Sequence, residues 1–256
     1  LQDTRTREFA TFLERELFPN FGVHVGFVYR QIDQLSQSDN LNRPVSAFTV
    51  PIAVPIPNTN GTITAGGPTL QAFNLSPANL ALPVVNYLHN TPGKDDFYNL
   101  ELSANRRLSG RWSLNGSYSY RWNRDNANGY FGQNLRVRQD VANPNDTINT
   151  QDGRYVFGLW TAKINGSYEA PWGIRLTPAF RMQQGQPYAR TFQATMNYGV
   201  QRCLAEPFGS RQQDNIYLFD IRMEKNFKVG GSRSIAGFID GYNLTNTNAA
   251  QNINWG

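Results

Sequence analysis

Apolar and polar residues alternate one by one along much of this chain, most clearly from Arg111 to Asn123. Trp112, Leu114, Gly116, Tyr118, Tyr120 and Trp122 are apolar, aromatic or small, and Ser113, Asn115, Ser117, Ser119, Arg121 and Asn123 between them are polar. A strand points successive side chains to opposite faces, so this segment has one greasy face and one wet face. A helix, with a period of about 3.6, would spread both classes around its circumference. The pattern predicts a strand. At about 3.3 Å per residue, the stretch from Trp112 to Trp122 spans roughly 33 Å, or roughly 25 Å of height at a tilt of about 40°. That is the apolar band of an outer-membrane barrel with an aromatic girdle at each rim. Strands of soluble sandwiches usually run only about five or six residues, and a long hairpin in an extracellular β protein is the plain alternative.

The same alternation recurs along the chain. Residues 4 to 17 read as a ragged strand, with Phe9 and Leu13 opposed to Glu8, Glu14 and Glu16. After a turn at Pro19-Asn20-Phe21-Gly22, Val23, Val25, Phe27 and Tyr29 oppose His24 and Arg30. Alternation returns at Phe97, with Tyr98, Leu100, Leu102 and Ala104 facing away from Asn99, Glu101, Ser103 and Asn105. Ser109-Gly110 leads into the Trp112 strand. Val156, Gly158, Trp160, Ala162, Ile164, Gly166 and Tyr168 oppose Lys163, Asn165, Ser167 and Glu169. Past Trp172-Gly173, Ile174, Leu176, Phe180 and Met182 oppose Arg175, Thr177, Arg181 and Gln183, with Pro178 as a blemish on the apolar side because proline donates nothing to a ladder. Tyr217, Phe219, Ile221, Met223 and Phe227 then alternate with Asp220, Arg222, Glu224 and Asn226, and Gly230-Gly231 opens a last strand from Arg233 to about Thr245 whose facing the pattern leaves open.

Between these strands the connections alternate in length. Tight turns occur at Pro19, Gly110, Trp172 and Gly230, whereas polar loops occupy roughly 33–96, 124–153 and 191–214, the first rich in Pro, Asn, Thr and Ser and far longer than an ordinary connection. About eight strands with this asymmetry predict an all-β chain: part of an antiparallel transmembrane β-barrel with short periplasmic turns and long extracellular loops. Phe18, Trp112, Trp172 and Phe227 stand beside the short turns, where one girdle would lie. The Asn-Gly-Ser-Tyr of 115–118 recurs at 165–168 with the same facing.

Composition narrows the picture. With 39% hydrophobic residues and a mean hydropathy of -0.52, the chain has no run approaching the ~18 apolar residues of a membrane helix. A barrel wall escapes that test, because lipid-facing residues alternate with polar ones. The net charge of +5 suggests nucleic acid at first sight, but Lys and Arg are scattered singly among acids and form no basic stripe, so no nucleic-acid partner is expected. Cys203 is alone and the only histidines are His24 and His89, which gives neither a disulfide within the chain nor the material of a metal centre.

Candidate chemistry follows from the facing. The lipid-facing and girdle set is Trp112, Leu114, Tyr118, Tyr120, Trp122, Trp160, Ile164, Tyr168, Phe219 and Ile221. The lumen-facing set is Asn115, Ser117, Arg121, Lys163, Glu169, Arg175, Arg181, Asp220, Arg222 and Glu224, a charged lining able to set which solutes pass. Ordinary ion pairing in a hydrated interior accounts for the same residues. His89 with Asp95 and Asp96 is a conceivable catalytic set at the outer rim, though one histidine and two acids in a long polar loop arise readily by chance. Asn115-Gly-Ser117, Asn165-Gly-Ser167 and Asn243-Leu-Thr245 match a glycosylation acceptor but fall within predicted strands, where the motif needs a surface loop. There is no phosphate-binding loop or dinucleotide fingerprint; no enzyme activity and no cofactor is expected.

Thr6-Arg7-Glu8-Phe9 through Pro19-Asn20-Phe21-Gly22-Val23, the Gly185-Gln-Pro-Tyr188 segment and Gly241-Tyr-Asn-Leu-Thr-Asn246 together resemble the C-terminal barrel of TonB-dependent receptors. The nearest flavour is the Oar-like group, whose members carry a carboxypeptidase-regulatory-like domain at the N-terminus. The resemblance spans essentially the whole chain, and Asn-Leu-Thr-Asn is its most telling part. It implies a large barrel of about 22 strands closed by a plug, an outer-membrane location, and energy supplied by the TonB complex through a segment ahead of the plug. Expected partners are outer-membrane lipid, the rest of the barrel and plug of a full-length parent, and the TonB complex. The chain departs from the pattern in lacking a plug, an energy-coupling segment and most of those strands, and in stopping at Asn254-Trp255-Gly256 without a closing strand. It is therefore read as a fragment of a transporter, with capture by the long loops and passage along the polar lumen. A complete eight-stranded barrel and an outer-membrane hydrolase are the alternatives.

Overall fold

The structure is a computed structural model that describes residues 1–126, 143–231 and 233–250. The Asn254-Trp255-Gly256 end and most of the expected 124–153 loop lie outside them. Strands β1 (Arg5–Phe18) and β2 (Phe21–Asp33) form the first hairpin, followed by β3 (Ser36–Asn40), β4 (Val50–Pro55), β5 (Thr69–Asn74), a short helix α1 (Pro77–Leu80) and β6 (Asn86–Asn90). The second hairpin is β7 (Asp95–Ser109) with β8 (Trp112–Asn126), and the third is β9 (Arg154–Ala170) with β10 (Ile174–Gln183). Short strands β11 (Pro187–Tyr188), β12 (Thr191–Met196), β13 (Gly199–Leu204) and β14 (Arg211–Gln212) precede the last hairpin, β15 (Ile216–Gly230) with β16 (Arg233–Gly241).

The long strands make one antiparallel eight-stranded sheet in the order β1-β2-β7-β8-β9-β10-β15-β16. Its lengths, up to 17 residues in β9, exceed the usual five or six of a soluble strand. The hairpin turns lie at one end of this wall and the long connections at the other. Gly110 and Arg111 both hold positive φ (58° and 76°), the backbone of a type I′ turn, whose twist suits the strands it joins. Among the described residues the wall is open: β1 and β16 are its two edges and do not pair with each other.

Paired residues in an antiparallel ladder share a face, so the register tests the alternation directly. Val25 pairs with Leu102, Leu102 with Tyr118, Tyr118 with Ala162 and Ala162 with Met182, and Met182 with Tyr217, which puts the apolar residues of six neighbouring strands on one side. On β1, Phe9 and Leu13 join that side through Tyr29 and Val25. The last strand now has a facing: Ile235, Gly237 and Ile239 lie on the apolar side, and Ser234, Ala236, Phe238 and Asp240 on the polar side. Pro178 sits opposite Ile221, and the β9–β10 pairing skips Thr177 and Pro178, as a missing donor requires.

Two expectations need correction. The 33–96 and 191–214 stretches are not featureless loops: β3 pairs with β6, β4 with β5 and β12 with β13 as separate ribbons. Their strands are only five or six residues long, too short for periodicity to show in the sequence, and β4 carries two prolines. Second, the last strand stops at Gly241 rather than near Thr245. The enclosed core belongs largely to these connections. Val54, Leu70 and Ala72 of the first pack with Phe192, Ala194, Met196 and Cys203 of the third, and Ile148 of the second lies against them. The three connections thus fold into one cap over the end of the wall.

Candidate functional site

The polar side of the wall carries the expected lumen set. Asn115, Ser117, Arg121, Lys163, Glu169, Arg175, Arg181, Asp220, Arg222 and Glu224 all fall on it by register. Several are paired across neighbouring strands: Arg175 reaches Glu169 at 2.8 Å, Arg222 grips Asp240 at 2.7 and 2.8 Å, and Arg30 meets Glu8 at 2.7 Å. These pairs are largely solvent-exposed and contribute little stability. Arg121, Lys163 and Arg181 form no ion pair among the described residues, and Lys163 stands directly opposite Arg181. Like charges set side by side are unfavourable alone and become useful when an anion lies over them. The middle of the polar face can therefore hold carboxylate or phosphate groups of a solute or of a neighbouring acidic segment.

The other side is apolar and uncovered. Trp112, Tyr118, Trp122, Ile164 and Tyr168 are exposed, while Leu114, Tyr120, Trp160, Phe219 and Ile221 are half-buried by their neighbours in the same sheet. Aromatic rings fill the gaps that glycines leave. The Tyr120 ring lies 4.4 Å from that of Trp122 and occupies the space that a Cβ on Gly158 would need. Phe180 and Phe219 stack at 4.3 Å across β10 and β15.

The cap is organised by side-chain amides that alternation could not reveal. Asn145, 2% exposed, accepts from the Phe73 N–H and donates to the Phe73 carbonyl, each at 2.8 Å, and also donates to the Tyr198 hydroxyl at 2.8 Å. Asn197 brackets Leu75 in the same way, at 3.0 and 2.7 Å. Each amide substitutes for a missing ladder partner and ties the first connection to the second or third. Asn143 and Asp146 form a capping box around the turn that presents Asn145, and the Asn-Pro-Asn-Asp of 143–146 was the one local signal available. Arg190 donates to the Pro57 carbonyl at 3.1 Å and, with Arg211, to the Glu206 carboxylate. Burial pushes Glu206 up, but the hydrogen bonds from the Arg211 side chain and the Arg190 backbone outweigh it and hold the carboxyl below its ordinary value. Burial raises the Cys203 thiol to about 11 and the Tyr198 hydroxyl to about 12. Cys203 is a core residue, neutral and enclosed.

Of the conceivable catalytic set, His89 bonds Asp39 at 2.7 Å across the β3–β6 ribbon, and Asp96 is engaged by Tyr29, Gln31 and Arg154. Among the described residues no group of three or more His, Cys, Asp or Glu side chains could hold a metal. The Asn243-Leu-Thr245 motif lies past the end of β16 rather than in a strand. There it closes on β15: the Leu244 N–H donates to the Phe219 carbonyl at 2.8 Å, the Thr245 hydroxyl to the Tyr217 carbonyl at 2.5 Å, and Asp220 accepts from the Asn243 N–H at 2.7 Å. The motif takes the place of further ladder, which explains why the strand ends where it does. Fold and site together define an all-β protein whose large antiparallel sheet is two-sided and capped at one end; among the described residues no helix is long and apolar enough to cross a membrane, which leaves crossing by strands open. Comparison with family models, with curated proteins and with solved structures returned no match.

Proposed function

We propose that this chain forms eight strands of the wall of an outer-membrane transporter of the TonB-dependent kind, taking part in energy-coupled uptake of a solute. One observation carries the reading: through the middle of the six strands from β2 to β15, one side of a single register is apolar and uncovered, while the other carries most of the amides and charges, with the charges of the first side confined to its rims. In water such a face costs about 25 cal/mol for each Å² left exposed, and hydrocarbon removes that cost. The tight turns at one end and the cap at the other repeat the asymmetry of outer-membrane barrels. The unpaired edges β1 and β16 fit a wall continued by further strands better than a closed eight-stranded barrel, in which they would pair. The cap is the surface that meets solute first, and the unpaired Arg121, Lys163 and Arg181 line its route. On this reading a plug and further strands would complete the barrel, and TonB would engage it as a separate partner.

Separation of the membranes of cells expressing the parent gene tests this. The chain should be recovered in the outer-membrane fraction, and a tagged periplasmic domain of TonB should retain the full-length parent. Recovery in the soluble fraction contradicts the proposal.

A further inference from the structure

Positive charges at the rims of the apolar side are of two kinds. At the cap end, Arg5 and Arg7 are neutralised by Asp33 at 2.9 and 3.5 Å and Arg154 by Asp96 at 3.1 Å, whereas Arg124 forms no ion pair among the described residues. At the short-turn end, Arg15 and Arg106 share the apolar side, by register with Val23 and with Phe21 and Leu114, and neither forms an ion pair among the described residues. The neighbouring carboxylates are turned to the polar side, where Glu14 meets His24 at 3.1 Å and Glu16 accepts from the Asn20 N–H at 2.8 Å. The Arg106 guanidinium lies 3.9 Å from the centre of the Trp112 ring and 5.9 Å from that of Phe18, with one Nη donating to the Ser109 carbonyl at 3.1 Å. Its Nε is buried and has no partner.

Next to this pair the sheet surface dips. A groove of about 520 Å³, lined by Val23, Val25, Leu102, Ala104, Gly116 and Ile164, begins one same-side residue from Arg106 on β7 and in the row that Arg15 shares with Val23 and Ala104. Small side chains make the dip: a Cβ built on Gly116 would approach only the Lys163 carbonyl, at 4.0 Å. An apolar trough running toward mid-membrane, headed by two uncompensated guanidiniums and an indole at the rim, has the chemistry of a phospholipid seat. Guanidinium pairs with phosphate oxygens, and the trough takes an acyl chain.

We propose that this part of the wall binds an anionic phospholipid of the leaflet at the short-turn end, with its phosphate on Arg15 and Arg106 and one acyl chain in the Gly116 groove. The inference rests on the membrane reading above. It is tested with the full chain in phosphatidylcholine vesicles containing acyl-brominated phosphatidylglycerol or acyl-brominated phosphatidylcholine, reading tryptophan quenching. Brominated phosphatidylglycerol should quench more strongly, with a preference of about fivefold for each cation engaged. The double substitution Arg15→Gln with Arg106→Gln should bring the two lipids level, and Arg15→Lys with Arg106→Lys should keep most of the preference. Gly116→Val should fill the trough and cut quenching by the preferred lipid. Equal quenching by both lipids in the unsubstituted chain, or a preference untouched by the Gln pair, overturns the lipid seat and leaves the wall intact. Quenching by neither lipid overturns the membrane reading itself.

Discussion

In the wall, Trp122 and Ile164 leave 43% and 42% of their surface exposed, and Ile239 leaves 67%; in the cap, Leu75 and Ala72 leave none and Cys203 1%. Both regions are built from antiparallel strands, and both carry apolar residues. The difference lies in what covers them. The cap encloses its apolar side chains within the chain, packing short ribbons from three connections against one another, and ties the seams with side-chain amides such as the buried Asn145 and the more exposed Asn197. The wall gathers most of its apolar residues on one side and covers them with nothing among the described residues. The cap buries its own apolar side chains; the wall's uncovered side is what the proposed membrane setting would cover.

That contrast can be broken from either side. The largest effect is expected from Leu75→Ala, because a fully enclosed leucine in a cap of this size costs about 2–5 kcal/mol to truncate. Thermal unfolding of the cap, followed by protease sensitivity of the 34–94 connection, should shift to lower temperature while the wall still assembles. Next is Leu114→Arg or Tyr118→Arg, which puts a charge on the apolar side; if that side meets hydrocarbon as proposed, the cost is about 2–4 kcal/mol. Heat-modifiable migration and outer-membrane recovery should fall, whereas Ser117→Arg, one residue away on the wet side, should be tolerated far better. Equal damage at both faces would count against the two-sided wall.

Asn145→Ala should come third, at about 1–3 kcal/mol, since it strands the Phe73 N–H and carbonyl in the cap interior. Hydrogen exchange at Phe73 is the sensitive readout. The smallest effect concerns pH. Glu206 is held below its ordinary value of about 4.3, so its contribution is fully present above that value and fades as pH falls through the lower, folded value. Cap stability should therefore drop on acidification below the ordinary carboxylate range, and Glu206→Gln should flatten that limb.

The sequence made the wall legible and the cap almost invisible, for a physical reason. A long strand repeats its two-residue period many times, so Trp112 to Trp122 or Val156 to Tyr168 betrays both its conformation and its facing. Even Pro178 announced the gap in its ladder. The cap strands are five or six residues long, and β4 carries proline at two positions, so no period accumulates. Their cohesion comes from contacts more than a hundred residues apart, such as Asn197 with Leu75. The last strand was ambiguous because Phe238 stands on the polar side with Glu224, over the guanidinium of Arg222. The rim site was equally hidden, because it depends on Arg15 and Arg106 arriving on the same side of strands that are two apart in the sheet.

The most direct test of the central claim is a cysteine scan along β8 from Leu114 to Arg121 in the native membrane, read with a charged, water-soluble thiol reagent. Cys203 should stay silent, because burial keeps it a neutral, enclosed thiol. Labelling should alternate, with positions 115, 117, 119 and 121 reacting and 114, 116, 118 and 120 protected. Uniform reaction at all eight positions would show water on both sides of the sheet and contradict the account.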